Sequence, residues 1–255
     1  MGKLIDFNVG CANSGIISTG YHSIMIDCYG LEDYKDNLPR SKTINVLFIT
    51  HQHHDHFDGI SFLLDNNYSV EYLIYSPYQR RYGDNSVELD EWNDFLNLKT
   101  RLEKKGTKCG SLYRQSDLKE PLFSYDDVKC FLIGPYKHIA DSDTRELHDA
   151  SLVIYFQLNN RFTVFPGDAS DTSLNYIAKN TNNYCNDILH ASHHGSLNGA
   201  DLDFIKGANA VYTVISTKSG VYENVPHPTA LQRYREYTAK SVYRTDTSGP
   251  LTWTF

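Results

Sequence analysis

Residues 44–56 read INVLFITHQHHDH, and this stretch decides the fold because an apolar strand leads directly into a cluster of metal-binding side chains. The apolar run predicts a buried strand, and the tight loop after it directs four histidines and one aspartate outward. Neutral imidazole and carboxylate are ligands for borderline divalent metals such as zinc. Accidental histidine tracts lie at termini and repeat one residue, whereas this tract is internal and contains aspartate. The stretch therefore predicts a metal site.

The spacing of these side chains, His51-x-His53-x-Asp55-His56, suits two metal ions. The first two histidines would bind one ion, and the adjacent Asp55 and His56 would bind its neighbour. Two metals a few Å apart polarise an ester and produce hydroxide from water near neutral pH. The spacing therefore indicates a hydrolytic enzyme.

The composition is that of a soluble globular protein of 255 residues, with 40% hydrophobic and 22% charged residues. No apolar stretch approaches the length of a membrane span, and residues 1–7 lack the apolar core of a signal peptide. The five cysteines are scattered and form no Cys-x-x-Cys pair, which favours reduced thiols over a disulfide framework. We therefore expect a cytoplasmic protein that does not bind a membrane.

The net charge of −7 and the pI near 5.8 bear on the substrate. A dedicated nucleic-acid binder is usually basic, so this surface as a whole does not attract a polyanion. Basic residues do cluster over 99–108, where we interpret them as the solvated face of a helix. The charge argues mildly against a processive nuclease and allows a nucleotide or another small phosphodiester, since bound divalent ions would add local positive charge.

The predicted elements begin with strands and continue with strands that alternate with helices. Strands are predicted at 3–9, 16–19, 23–27, 44–50, 72–75, 128–133, 151–158, 162–165, 187–190, 210–216, 242–244 and 251–254. Helices are predicted at 57–67, 90–105, 171–179, 200–206 and 228–238. Short loops and the lack of Pro/Gly/Ser-rich linkers predict one domain over residues 1–255, in which we see no internal repeat.

Further candidate ligands lie at the ends of other predicted strands. Gly167 lets the chain turn sharply after the apolar run 162–165, which leaves Asp168 exposed at the strand tip. That carboxylate could bridge two metals, or it could serve only in a turn or as a helix N-cap. The adjacent His193 and His194 follow another apolar strand in the same way.

Three more residues occupy suggestive positions in the sequence. His148 precedes the strand at 151–158, and Asp27 ends the strand at 23–27. His227 stands between two prolines just before a helix, where it could contact the scissile group, protonate the leaving oxygen, or lie in a surface turn. The remaining histidines are interpreted as structural, surface or packing residues, namely His190, His22 and His138.

In this order the motifs resemble the metallo-β-lactamase superfamily, and within it the metallo-β-lactamase-like domain of competence DNA-uptake channel proteins. The resemblance covers almost the whole chain, which would be a free-standing soluble relative without the transmembrane portion of those proteins. Besides the metal motif it rests on Phe7-Asn8-Val9-Gly10, Met25-Ile26-Asp27-Cys28-Tyr29-Gly30, Ser151-Leu152-Val153, Pro166-Gly167-Asp168, His193-His194-Gly195-Ser196, His227-Pro228 and Arg244-Thr245-Asp246.

The chain also departs from the pattern of that group. Asn8 and Asn13 stand where the group usually has aspartates, and Tyr29 is inserted before Gly30. His148 stands where the group often has asparagine, which favours a third histidine for the first metal. These changes bear on the substrate and the metal but leave the core ligand set complete.

The resemblance implies an α+β/α/β fold, a four-layer αβ/βα sandwich with two mixed β-sheets and a site along one edge. It implies two divalent metal ions, zinc or alternatively manganese, with hydroxide between them as the nucleophile. The implied ligands are His51, His53 and His148 for the first ion, Asp55, His56 and His193 for the second, and Asp168 as the bridge.

Other residues have implied roles around this set. Asp27 would orient a ligand imidazole, and His54 would lie outside the ligands. His194 is the alternative to His193, and the sequence does not separate the two. The residues expected to take part in catalysis are Asp55, Asp168 and His227.

The sequence supports three hypotheses for function. The first is a metal-dependent phosphodiesterase or nuclease whose substrate is a nucleotide or nucleic acid. The second is a hydrolase of a carboxylic ester, thioester or lactone at the same site. The third is a catalytically silent, metal-stabilised interaction protein, against which the complete ligand set argues. The sequence leaves the substrate, the metal and the oligomeric state open.

Overall fold

Two seven-stranded β-sheets form the centre of the computed structural model, which describes residues 2–255. In chain order the strands are β1 (Lys3–Asp6), β2 (Ser14–Ser18), β3 (Ser23–Cys28), β4 (Thr43–Ile49), β5 (Ser69–Tyr75), β6 (Lys108–Ser111), β7 (Phe123–Tyr125), β8 (Val128–Gly134), β9 (Val153–Leu158), β10 (Arg161–Phe165), β11 (Ile188–His190), β12 (Tyr212–Ile215), β13 (Ser241–Arg244) and β14 (Leu251–Thr254). The helices are α1 (His54–Phe57), α2 (Gly59–Asp65), α3 (Leu89–Lys104), α4 (Lys137–Ala140), α5 (Asp171–Asn180), α6 (Leu202–Ala208), α7 (Pro228–Tyr237) and α8 (Thr245–Ser248). Short 3₁₀ segments cover Leu31–Asn37, Leu147–Ala150, Ser192–Gly195 and Leu197–Gly199.

Both sheets are mixed and share one topology. The first has the order β14-β1-β2-β3-β4-β5-β6, and the second has the order β7-β8-β9-β10-β11-β12-β13. In each, the first three pairings are antiparallel and the last three are parallel. The pairing changes from antiparallel to parallel at β3 in one sheet and at β10 in the other. The residues themselves do not reveal this repeat, which exists only in the strand order.

Three apolar layers hold the sheets and helices together. One cluster lies between the two sheets and joins Phe48 of β4 to Phe156 of β9. A second packs α2 and α3 on the outer face of the first sheet, with Phe95 at its centre. A third packs α5, α6 and α7 on the outer face of the second sheet, around Phe204 and Tyr234. The order of layers is therefore helix, sheet, sheet, helix, which confirms the predicted four-layer sandwich with two mixed sheets.

Several elements differ from the prediction. The helix expected at 57–67 is divided between α1 and α2. At Gly59, the first residue of α2, a Cβ atom would lie 1.5 Å from the Cys28 carbonyl oxygen. Only glycine allows this approach of the helix to β3, which places the metal-binding loop directly against the sheet. The edge strands β6 and β7 were not expected from their short sequences, which lack a clear alternation.

The cysteines and the helix lengths bear on two expectations about the whole chain. All five cysteines are free. Within residues 2–255, the helices are too short or too polar for any of them to cross a bilayer.

Candidate metal centre

The side chains of the candidate centre come from both sheets and lie at the same edge of the sandwich. The loop 50–56 leaves β4, and Asp168 follows β10. His193 and His194 follow β11 in a 3₁₀ turn, and His148 lies in a 3₁₀ turn before β9. Side chains at the carboxyl ends of parallel strands of two packed sheets therefore converge on one place.

The first group of donor atoms consists of His51, His53 and His148, whose nearest ring nitrogens all lie within 4.8 Å of one another. His51 Nε2 is 3.0 Å from His53 Nδ1, a distance that suits a shared proton or a shared cation. This group is the histidine triplet that the resemblance implied for the first ion.

The second group consists of Asp55, His56 and His194. His194 Nε2 is 3.4 Å from Asp55 Oδ2, and His56 Nε2 is 3.9 Å from the same oxygen. The implied set had His193 in this place, whereas the structure brings His194 there. The reason is the backbone, because both histidines have left-handed φ angles, 50° at His193 and 54° at His194, which turn neighbouring side chains to different sides.

His193 lies beside the first group instead. Its ring centroid is 4.4 Å from that of His148, and it forms a further donor group with His148 and Asp168. Its side chain is 28% exposed, whereas that of His194 is only 4% exposed. His193 therefore stands at the mouth of the centre and His194 at its base.

Asp168 lies between the two groups. Its Oδ1 is 3.5 Å from His56 Nε2, and its Oδ2 is 3.5 Å from His194 Nε2 and 3.9 Å from His51 Nε2. The turn before it needs Gly167 at φ 54°, where a Cβ atom would lie 2.6 Å from the Thr50 side chain. The sharp turn predicted at Gly167 is present, but the Asp168 carboxylate is only 2% exposed, so it is buried between the two groups and not exposed at the strand tip as expected.

Hydrogen bonds on the far side of three rings determine which nitrogen faces the centre. His56 Nδ1–H donates to Asp27 Oδ2 over 2.7 Å, which is the orienting contact expected of Asp27. His194 Nδ1–H donates to the Ser216 carbonyl over 3.1 Å, and His53 Nε2–H donates to the Ser86 carbonyl over 2.9 Å. The two carbonyls were not anticipated, because every residue has one and the sequence carries no signal for it.

Asp27 is itself held by the loop that it supports. The Thr50 backbone N–H donates to its Oδ1 over 2.7 Å, and the Thr50 hydroxyl donates to its Oδ2 over 2.8 Å. Asp27 is buried and has a φ of 52°, a conformation uncommon for a residue other than glycine. These contacts fix the start of the metal-binding loop to the end of β3.

The donor set contains buried polar atoms that lack a hydrogen-bond partner, and these atoms bear on whether it fits metal ions. Several buried polar atoms have no hydrogen-bond partner among residues 2–255, and four of them belong to this centre: His56 Nε2, His148 Nε2, His194 Nε2 and Asp168 Oδ1. An unpaired buried polar atom costs about 1–3 kcal/mol, so such a concentration requires a compensating partner. Imidazole nitrogens and carboxylate oxygens are zinc-type donors, and the residues therefore fit divalent ions.

The protonation states of the histidines also suit the binding of cations. Burial lowers the pKa of His148 to about 3 and that of His51 well below its ordinary value, so both rings are neutral and available as ligands. Burial alone would lower the pKa of His56, but the carboxylates of Asp27 and Asp168 outweigh it and raise that pKa well above its ordinary value. Without metal, protons on such rings balance the carboxylates, and metal binding would displace them.

Two predicted residues lie outside the donor groups. His54 is exposed, with Nε2 3.2 Å from Asp94 Oδ2, so it contacts no member of the centre. His227 caps the start of α7, where the Thr229 N–H donates to its Nδ1 over 3.1 Å. The proton of the neutral ring must therefore be on Nε2.

The open cleft beside the centre has a volume of about 680 Å³. His227 lines it together with Asp55, Asp168 and His193. Leu197, Tyr222 and Glu91 complete part of its wall. The cleft is large enough for a substrate of nucleotide size, and His227 is placed beside that substrate rather than among the metal donors.

Comparison with solved structures shows which fold this is. The metallo-β-lactamase fold protein YhfI from Bacillus subtilis is similar over 99% of this chain and 100% of its own, with 13% identity and a TM-score of 0.58. A diphosphatase from the PhnP family is similar over 100% of this chain and 98% of its own, with 12% identity and a TM-score of 0.52. CmlA, a diiron β-hydroxylase from Streptomyces venezuelae, is similar over 99% of this chain but 54% of its own, with 12% identity and a TM-score of 0.60.

The chain therefore has the metallo-β-lactamase fold, as its motifs predicted. No family model matches the sequence, and no curated protein matches it. The neighbours include a diphosphatase and a hydroxylase, so the fold alone does not determine the reaction.

Proposed function

We propose that this chain is a metal-dependent hydrolase that binds two divalent ions, zinc or manganese, and cleaves phosphodiesters. The observation that carries the proposal is the position of Asp168, a buried carboxylate that lies within 4 Å of donor nitrogens from both groups. In this proposal His51, His53 and His148 would hold one ion, Asp55, His56 and His194 would hold the other, and Asp168 would serve both groups. When bound, two divalent ions would stabilise developing negative charge and make water acidic enough to attack near neutral pH.

The chain's own residues hold the donors and contact the substrate. Asp27 keeps the proton of His56 on Nδ1, so that Nε2 stays directed at the centre. His227 Nε2–H faces the cleft as a donor for an oxygen of the scissile group or of the leaving group. Asp168 is buried at the edge of the open cleft, where its electrostatic interactions are stronger than they would be in bulk water.

Two observations favour a phosphodiester over a carboxylic ester. The motifs resemble the metallo-β-lactamase-like domain of competence DNA-uptake channel proteins, and a diphosphatase has the same fold. A substrate panel tests this choice on metal-loaded protein, with bis(p-nitrophenyl) phosphate, p-nitrophenyl acetate and a simple lactone. We expect turnover of the phosphodiester, and turnover of only the acetate or the lactone would overturn the proposal in favour of the second hypothesis.

The two adjacent histidines are expected to differ in metal binding. His194→Ala should lower the metal content from about two ions per chain to about one, because it removes a donor from the Asp55 group. His193→Ala should retain about two ions, because His193 stands at the mouth of the centre. Elemental analysis of both purified variants measures this difference. Loss of one ion from His193→Ala alone would restore the grouping that the resemblance implied.

His227 is expected to act on the substrate rather than on the metal. His227→Ala should slow the hydrolysis of substrates with poor leaving groups by about 10²–10⁴-fold. It should slow the hydrolysis of substrates with activated leaving groups, such as nitrophenolate, far less. The reason is that a proton donor matters only when the leaving oxygen needs the proton. Rates for both substrate classes and the metal content are measured together. Equal slowing of both classes indicates a role in binding, and loss of metal would make His227 a ligand.

A further inference from the structure

A second opening leads to the centre on the other side of Tyr222. This arm has a volume of about 490 Å³ and shares Asp55 and Tyr222 with the main cleft. We call it the lysine arm and define it by Asn8, Gly10, Tyr29, Lys218, Tyr222 and Asp246. A ligand whose reacting group lies at the centre can therefore extend in two directions.

The backbone of Lys218 is fixed by its neighbours. The Lys218 N–H contacts Cys11 Sγ over 3.2 Å, and the same thiol contacts the Lys218 carbonyl over 3.3 Å. The next residue, Ser219, donates its N–H to Asp246 Oδ2 over 3.0 Å. Asp246 is in turn paired with Arg244 over 2.7 Å, so its charge is already neutralised. Lys218 thus projects from a rigid base beside a carboxylate that does not compete for it.

The ammonium group of Lys218 has no protein counter-ion. Among the salt bridges of residues 2–255, none places a carboxylate within 4.0 Å of Lys218 Nζ. Two tyrosines line the arm around it, Tyr29 at 36% exposure and Tyr222 at 55%. Burial, followed by the negative charge of Asp55, raises the pKa of Tyr222, so its hydroxyl remains a hydrogen-bond donor. The arm therefore combines two accessible aromatic rings with one lysine that has no ion pair among residues 2–255, and the carboxylates of Asp33 and Asp55 also line it.

We propose that the lysine arm binds the base and a second phosphate of a small nucleotide phosphodiester whose scissile phosphate lies at the metal centre. Lys218 contacts the second phosphate, and Tyr29 and Tyr222 contact the base. Phosphate and aromatic base are the two groups that an ammonium and exposed tyrosines recognise. This inference rests on the proposed function, because it takes the scissile phosphate to lie at the centre.

The charge around the main cleft limits the size of the substrate. Glu91 and Glu223 line that cleft, and Asp33, Asp55 and Asp246 line the arm. In the part of the chain that the structure describes, residues 2–255, Lys218 is the only lysine or arginine that lines either opening. A long nucleic acid would bring many phosphates past these acidic side chains, whereas a small nucleotide brings one to Lys218. The proposal is therefore a small nucleotide rather than a nucleic acid strand.

Binding to metal-loaded protein tests the role of Lys218. Adenosine 3′,5′-bisphosphate and AMP serve as probes, because they differ by one phosphate and contain no phosphodiester. By titration calorimetry we expect the bisphosphate to bind about tenfold more tightly, as one charged hydrogen bond implies. Lys218→Gln should remove this difference, and Lys218→Arg should retain it. Lys179→Gln, which changes an exposed lysine on α5, is the matched control and should leave it unchanged.

The tyrosine contact is tested with the same probes and inorganic phosphate. Tyr222→Leu should lower the affinity for both nucleotides by roughly fivefold or more, since base–aromatic contacts contribute on this scale. The affinity for inorganic phosphate should not change. Tyr222→Phe should retain nucleotide binding. A preference for the bisphosphate that survives Lys218→Gln would overturn the inference. Tighter binding of a single-stranded 12-mer than of the bisphosphate would overturn the limit on substrate size.

The failure of this inference can be distinguished from failure of the proposed function. Each sample is also assayed for hydrolysis of bis(p-nitrophenyl) phosphate, which has neither a base nor a second phosphate. Hydrolysis together with nucleotide binding that does not depend on Lys218 would overturn the inference and leave the function intact. Lys218-dependent nucleotide binding without hydrolysis would support the arm as a nucleotide site and overturn the function.

Discussion

Replacing Asp168 with alanine is expected to reduce phosphodiester turnover by about 10³-fold or more, a loss on the scale of removing a principal electrostatic group from an active site. Among residues 2–255, Asp168 is the only carboxylate that lies within 4 Å of donors from both groups, so its removal separates the two halves of the centre. Steady-state rates on bis(p-nitrophenyl) phosphate measure the loss. A variant with a rate near that of the unchanged protein would show that Asp168 is only a turn residue.

The fold is expected to survive this substitution. Asp168 Oδ1 has no hydrogen-bond partner in the described chain, and the contact of its backbone N–H with Ser151 Oγ does not involve the side chain. Circular dichroism and thermal unfolding of Asp168→Ala should therefore resemble those of the metal-free parent. Asp127→Ala, which changes an exposed aspartate in a turn, is the matched control and should retain both metal and activity.

Removal of metal is expected to have the second-largest effect. The purified protein should hold about two divalent ions per chain, and a chelator should remove them together with all turnover. A ligand present at a thousand times its dissociation constant stabilises the folded state by about 4 kcal/mol, so the melting temperature should fall by roughly 10 °C. Elemental analysis and calorimetry measure the two effects.

Restoration provides the control for that experiment. Adding zinc or manganese to the chelated protein should return the melting temperature and the activity together, and the ion that restores turnover identifies the functional metal. The metalloenzyme proposal fails if elemental analysis finds no transition metal and titration shows no uptake. In that case the unpaired buried atoms of the centre would need a different partner.

The parts of the site that the sequence predicted are those that follow from local pattern. An apolar run before His51 predicts a strand and a loop, and a glycine before Asp168 predicts a turn. Both features depend on a few neighbouring residues, and both are present in the structure. That Asp27 orients a ligand imidazole was also expected, but only through the resemblance, and the structure identifies the ring as that of His56.

Other parts could not be predicted because they depend on irregular backbone or on distant main-chain atoms. Adjacent residues in a strand or helix have known relative directions, but His193 and His194 both have left-handed φ angles, so no periodicity separates them. The carbonyls of Ser86 and Ser216 that orient two ligand rings belong to loops whose course the sequence does not indicate. The edge strand β6 is defined by its pairing with β5, and its own short sequence does not indicate a strand.

The shared topology of the two sheets has a consequence for how the centre assembles. β3 and β10 hold equivalent places in their sheets, and the chain carries Asp27 near the end of one and Asp168 just after the other. β4 and β11 are equivalent in the same way, and each leads into a histidine-containing turn. Neither half of the chain holds a complete set of donors, so the centre can form only after both halves have folded and docked. Bound ions would therefore act as a cross-link between the halves, and their binding energy would oppose separation of the sheets rather than unfolding within either one.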